Sequence, residues 1–425
     1  MHDFKFKNKK LYCENIDVEY LARRFGTPLY VYSYSTLINH YLKLKDAFKS
    51  INPLICYSVK ANSNMAIIES LINKGAGLDV VSGGELFRAL KAGCPANRIV
   101  YASVGKTDNE IKEALSAGIL FFNVESLPEL ENINRIARKL DKAARVAIRI
   151  NPDVEAKTHK FITTGKITNK FGIDLNSAYN ILLMRSKFSN IDISGLHIHI
   201  GSQITNGEPF VAAITKIIKF IGQLKKKGIG LEYLNIGGGL GIVYDKETPQ
   251  TAMKFAKKAL PLLKATGLKI IMEPGRFIVG NAGIMVTKVL YVKPTPKKKF
   301  IIVDAGMNDL IRPALYGAYH QILPLVKSES QKSKVPGLAR TGKSQKYDIV
   351  GPICESGDFF AKDRIMPKVS EGDYIAVMSA GAYGFTMASN YNSRRRACEI
   401  LVSGTDVSVI RDRETYEDLI RNEKY

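Results

Sequence analysis

The chain has 425 residues, 45% hydrophobic and 24% charged, the make-up of an ordinary soluble protein long enough for two sizeable cores. Its formal net charge is +22, but the lysines are spread along the chain in short runs such as KPTPKKK and no nucleic-acid-binding motif is present, so the charge predicts attraction for an anionic ligand and no nucleic-acid partner. No apolar run approaches the roughly 20 residues of a membrane helix, and MHDFKFKNKKLYCEN lacks the apolar core of a secretory leader, so a cytoplasmic protein with no membrane partner is expected.

In chain order, the β-prone TPLYVYS comes first; it precedes any partner strand and is expected to join a later sheet. Short β-rich runs then recur at 54–60, 77–82, 98–103, 120–125, 145–151, 193–200, 231–236 and 269–273. Between them lie stretches with helical spacing of apolar residues, among them NMAIIESLINK, DNEIKEALSA and FVAAITKIIKFIGQLKKK. Strands alternating with helices predict a (β/α)8 barrel of the TIM type over 35–283. Beyond it, DIVGPICESGDFFAKD, GDYIAVMSAGAYGF and ACEILVSGTDVSVI read as strands and turns. They predict a second, mostly β domain, sandwich- or barrel-like, built from 1–34 and 284–425. The polar, lysine-rich stretch 326–346 reads as an exposed, mobile loop.

The polar residues fall where such a barrel keeps its chemistry, at the C-terminal ends of the strands: Lys60, Asp79, Glu125, Arg149, His197, His199, Gly237 to Gly239 and Glu273. An ammonium group is costly to desolvate, so a lysine closing the apolar run ICYSV is read as kept for its amine. NIGGGLG after strand seven and EPGR after strand eight suit a phosphate, because glycine N–H groups approach an anion without a Cβ in the way. A strand-end lysine, a phosphate cradle and a carboxylate together meet the needs of pyridoxal phosphate. His197 and His199 share a strand face, but no third ligand lies at metal-site spacing and no metal is expected. The five cysteines form no CxxC pair and are odd in number, which argues against a disulfide framework or a cysteine-rich zinc site.

The motifs YSVKAN, GLDVVSGGEL, FNVES, RINPDV, THKFITTGKITNKFGI, GLHIHIGSQI, NIGGGLGI, EPGR, VDAGMNDLIRPALYGAYH, VGPICESGDFFAKDR and AGAYGFTMASNYNSRRR resemble those of the diaminopimelate decarboxylases, a family of fold-type III pyridoxal-phosphate enzymes. The resemblance runs from about residue 27 to 396. It implies that Lys60 holds the cofactor covalently, Glu273 pairs with its pyridine nitrogen and His199 stacks on its ring. Ser202, Gly237, Gly238, Gly239, Gly275 and Arg276 would surround the phosphate, with Tyr383 near the cofactor and substrate, and Asp79 and Glu85 supporting Lys60 and the ring. Arg276, Arg312 and Tyr316 would hold the distal carboxylate of meso-diaminopimelate, and Glu355 would face its distal ammonium.

The resemblance further implies release of L-lysine and carbon dioxide, the last step of lysine biosynthesis from diaminopimelate. Cys354 would be the proton donor, contributed with Glu355 by the second subunit of a homodimer with shared active sites. An ornithine, arginine or carboxynorspermidine decarboxylase should lack the arginines for a distal carboxylate, and DLIRPALYGAYH weighs against it; a non-catalytic relative could dispense with Lys60.

Overall fold

A computed structural model describes residues 2–154, 170–327 and 344–424. The chain divides into two compact units, one formed by His40–Ile242 and Thr248–Ile278, the other by Met1–Asn39, Val243–Glu247 and Val279–Tyr425.

The first unit is a closed barrel of eight parallel strands: Leu54–Ser58, Gly77–Val80, Ile99–Tyr101, Phe121–Val124, Ala144–Ile150, Ile191–Ile198, Tyr233–Asn235 and Lys269–Met272. The eighth strand pairs back onto the first through Ile271↔Leu54, closing the barrel expected from the strand–helix alternation. Six of the helices that follow barrel strands start at a short polar side chain. Asn64, Ser82, Ser126, Asp174 and Thr251 accept N-terminal amides of their helices. Thr107 and Glu110 form a full capping box. These caps fix where those helices begin.

Helix faces follow the apolar spacing. Ile67, Ile68 and Leu71 are buried on Met65–Ile72, and Phe210, Ala213, Ile214, Ile217, Phe220, Ile221 and Leu224 on Glu208–Lys226. Cys56, Val100, Phe121, Ala147 and Ile271 pack together among the strands. Burying a side chain of phenylalanine size stabilises by about 2–3 kcal/mol, and Phe121→Ala would cost about 3–5 kcal/mol with the cavity included.

The second unit is mostly β. Its main sheet runs Phe359–Met366, Gln345–Val350, Lys299–Val303, Gly283–Pro294, Leu29–Ser33, Cys398–Ser403, Asp406–Arg411, with Tyr374–Val377 and Ile322–Pro324 branching from Gly283–Pro294. The early strand finds the late partners expected of it: Leu29–Ser33 is antiparallel to Gly283–Pro294 and parallel to Cys398–Ser403. Its Leu29 and Val31 join a core with Ile284, Val286, Ala376, Ile400 and Val402. Of the polar stretch expected to be a loop, 328–343 lies outside the described residues, as does 155–169, which takes in 158–169 of the motif THKFITTGKITNKFGI.

Candidate active site

Lys60 occupies a 3-10 turn, Val59–Ala61, directly after the first barrel strand. Its Nζ donates to Asp79 Oδ2 at 2.5 Å and to Ser58 Oγ at 3.3 Å. The side chain is 39% exposed while that of Asp79 is fully buried, so the pair joins a buried acid to a reachable amine. Asp79 comes from the end of the second strand. Burial raises its carboxyl above the usual range, the Lys60 charge opposes this and Glu273 adds to it. Glu85, on the helix after that strand, accepts the Val81 N–H at 2.8 Å. Burial pushes its carboxyl up to about 7, against the pull of Lys60.

Glu273 directly follows the eighth strand. Its Oε1 accepts Asn123 Nδ2 at 3.0 Å and Asn235 Nδ2 at 2.6 Å, and its Oε2 lies 3.1 Å from His197 Nε2. Burial would raise this carboxyl, but His197, Lys60 and the Asn235 hydrogen bond together hold it below the usual range. A buried, ionised carboxylate with an oriented lone pair is the partner a protonated heterocyclic nitrogen needs. His199 is driven the other way: burial, then the Arg149 charge, depress its imidazole to about 3, leaving a neutral ring at ordinary pH.

The glycine triplet serves first as a spacer. A Cβ on Gly237 would stand 2.4 Å from Ile198 O, on Gly238 2.0 Å from Glu273 O, and on Gly239 2.2 Å from Gly201 O. Only glycine lets the turn after strand seven pass between the ends of strands six and eight, and φ is +68° at Gly237 and +102° at Gly239. The Gly237 N–H donates to Asn235 Oδ1 at 2.9 Å, and the Gly238 N–H to His199 Nδ1 at 3.3 Å, which fixes the imidazole through its acceptor nitrogen. Beside the turn, Arg276 Nη2 donates to Ser202 Oγ at 3.1 Å. Gly275 packs so closely that a Cβ there would lie 3.0 Å from the Cβ atoms of Ser58 and Ala61.

The barrel unit thus gathers Lys60, Asp79, Glu85, His199, Ser202, Gly237, Gly238, Gly239, Glu273, Gly275 and Arg276 at the C-terminal ends of its strands. The other five expected residues belong to the second unit. Arg312 is buried, its Nη1 2.9 Å from His320 Nε2 and its guanidinium 4.7 Å from the centre of the Tyr244 ring. Tyr316 ends the same short helix, Arg312–Tyr316. Cys354 and Glu355 are exposed; the Cys354 N–H donates to Asn392 Oδ1 at 2.9 Å, and a hydrogen bond to Glu355 pushes the Tyr391 phenol up. Tyr383 has φ +56°.

Two site residues escaped the sequence reading: Asn123 and Asn235, one in FNVES and one in LNIGGG. An amide at the end of an otherwise apolar buried strand was the signal available, since a buried polar side chain needs a partner.

The donor set fits pyridoxal phosphate. It offers a reachable lysine amine, an ionised carboxylate and a neutral imidazole. Asp79 Oδ1 and Asn123 Oδ1 are buried without a hydrogen-bond partner, so polar atoms remain to be satisfied beside that amine and that carboxylate.

Residues 34–280 match the family described as pyridoxal-dependent decarboxylase, pyridoxal binding domain. The chain is 49% identical to the diaminopimelate decarboxylase of Aquifex aeolicus, over 98% of this chain and 96% of that one. It is 46% identical to that of Haemophilus influenzae, over 99% and 98%. Among solved structures, diaminopimelate decarboxylase from Helicobacter pylori complexed with L-lysine is similar with a TM-score of 0.89 and 42% identity, over 96% of this chain and 99% of that one.

Proposed function

We infer that this chain, which belongs to the diaminopimelate decarboxylase family of pyridoxal-dependent enzymes, converts meso-2,6-diaminopimelate into L-lysine and carbon dioxide with pyridoxal 5'-phosphate as cofactor. Within the molecule, the observation that carries the reading is the presence, at one barrel end, of both the Lys60 amine, held by Asp79, and the buried, ionised Glu273. When bound, the cofactor supplies an electron sink for the bond to the departing carboxylate.

The residues of the chain supply the rest. Lys60 holds the cofactor, and its Nζ needs to lose a proton before it can act as a nucleophile. Asp79 Oδ2, 2.5 Å away with its carboxyl raised by burial, is placed to take that proton. Glu273 keeps the pyridine nitrogen protonated, with Asn123 and Asn235 fixing which oxygen is aimed. His199 offers a neutral imidazole face to the ring, with Glu85 nearby in support. Ser202, Gly237 to Gly239, Gly275 and Arg276 receive the phosphate, and Tyr383 lies close to cofactor and substrate. Arg276, Arg312 and Tyr316 take the distal carboxylate, because a planar guanidinium matches a carboxylate in two-point contact, while Glu355 takes the distal ammonium. Cys354 returns a proton to Cα.

The further readings are that the barrel spans 35–283 and the β domain the remainder, and that the enzyme is a cytoplasmic homodimer whose sites are each completed by Cys354 and Glu355 of the second chain. Among the described residues no helix is long and apolar enough to cross a membrane. Two experiments test the proposal. Carbon dioxide release from a panel of amino acids should be most efficient with meso-diaminopimelate; more efficient turnover of ornithine or lysine would overturn the substrate. Mixing inactive Lys60→Ala and Cys354→Ala proteins should restore about a quarter of the native sites at random subunit exchange. No gain despite verified hybrid dimers would contradict the shared site.

A further inference from the structure

A second lysine sits just beyond a barrel strand, and none of the roles above employs it. Lys106 follows the third strand in the loop before the Thr107 cap, and its side chain is completely buried. Its three ammonium protons have three acceptors: Ser103 O at 2.8 Å, Asn123 O at 2.9 Å and Glu129 Oε1 at 2.6 Å. Glu129, on the helix after the fourth strand, is itself buried, and its other oxygen accepts the Glu125 N–H at 2.7 Å. One ammonium therefore grips the end of strand four twice, directly at the Asn123 carbonyl and through Glu129 at the Glu125 amide.

The place is informative. Pairing between the third and fourth strands ends at Tyr101↔Phe122, one residue before Asn123. Asn123 then donates its side-chain amide to Glu273 Oε1, while Glu125 accepts Arg149 Nη1 at 2.7 Å and the Gly172 N–H at 3.1 Å. Stability alone is a weak reason for such a pair. Desolvating two charges costs several kcal/mol per ion, and neutral side chains of similar volume often do as well. A requirement for fixed geometry is a better reason, because three protons on three oxygens leave the loop and strand end little freedom.

We propose that Lys106 and Glu129 are positioning residues of the active site, locking residues 123–125 so that Asn123 holds Glu273 at the angle required by the cofactor nitrogen. This rests on the reading of Glu273 as the partner of that nitrogen. Lys106 touches neither substrate nor cofactor in this scheme and acts through Asn123.

The test uses the full-length holoenzyme. In the double variant Lys106→Met with Glu129→Gln, both charges go together and volume is kept, so the melting temperature should change little. The expected result is a fall in kcat of roughly tenfold to a hundredfold, the usual cost of losing an outer support, with KM nearly unchanged. The absorption band of the bound cofactor should also titrate near neutrality where that of the parent is constant. Glu129→Asp, which keeps the charge and only shortens the reach, should shift both readouts the same way by a smaller factor and decides the matter should the double variant not fold. Glu273→Gln is the reference. A normal spectrum and rate in Glu273→Gln would overturn the ring-nitrogen reading, and the inference with it. A disturbed Glu273→Gln beside a double variant and Glu129→Asp that keep the parental spectrum and kcat, whatever their melting temperatures, would overturn the inference alone.

Discussion

The surroundings of Lys60 and Lys106 differ although both lysines follow barrel strands by two to five residues. The Lys60 side chain is 39% exposed and the Lys106 side chain 0%. Lys60 faces Asp79, whose carboxyl is raised and can exchange a proton; Lys106 faces one carboxylate and two carbonyls that fix all of its protons. A lysine with a reachable amine beside a protonatable acid can do covalent chemistry. One whose protons are all committed can only hold structure in place.

Substitution should separate the two lysines. The largest effect is expected for Lys60→Ala, a loss of decarboxylation of roughly a thousandfold or more. Its unfolding free energy should fall by less than about 2 kcal/mol, since Asp79 can take a proton once its cation is gone. Lys106→Met alone should cost more in denaturant unfolding, about 3–5 kcal/mol, because Glu129, whose carboxyl is raised by burial, can also take a proton but the Ser103 and Asn123 carbonyls both lose their donor. Equal stability losses for the two would erase the distinction.

Arg312→Ala should lower kcat/KM for meso-diaminopimelate roughly tenfold to a thousandfold. His320→Phe should produce a part of that loss, since His320 Nε2 is 2.9 Å from Arg312 Nη1 and its Nδ1 is 2.8 Å from the Met378 carbonyl, the tautomer that leaves Nε2 as acceptor. An unchanged kcat/KM in Arg312→Ala would remove that arginine from the substrate site.

The smallest effect concerns pH. The Glu85 carboxyl is raised from 4.5 to about 7, so the stability linked to its protonation is fully present below about 4.5 and lost as pH rises through about 7. Relative to Glu85→Gln, the cofactor-free parent should therefore lose unfolding free energy between about pH 4.5 and 7 and level off above. A flat difference, or one of opposite sign, would contradict the burial of that acid.

Lys60 and Glu273 were legible because a barrel collects its chemistry at strand ends, where a charged residue closing an apolar run is conspicuous. The strand–helix rhythm and the orphan strand TPLYVYS were legible for the same local reason, periodicity. Lys106 was not. In VGKTDNE it reads as a solvated lysine before a helix cap, and nothing local announces that Glu129, 23 residues later, buries it. The segment Val243–Glu247, which clusters with the second unit, was equally hidden, because its contacts are made far along the chain through Tyr244 with Arg312 and His320.

Lys60 as the amine that holds the cofactor can be checked by reducing the holoenzyme with borohydride and mapping the labelled peptide. The account predicts the label on Lys60 in YSVKANSN and no label in Lys60→Ala. A label on any other lysine, Lys106 included, would contradict it.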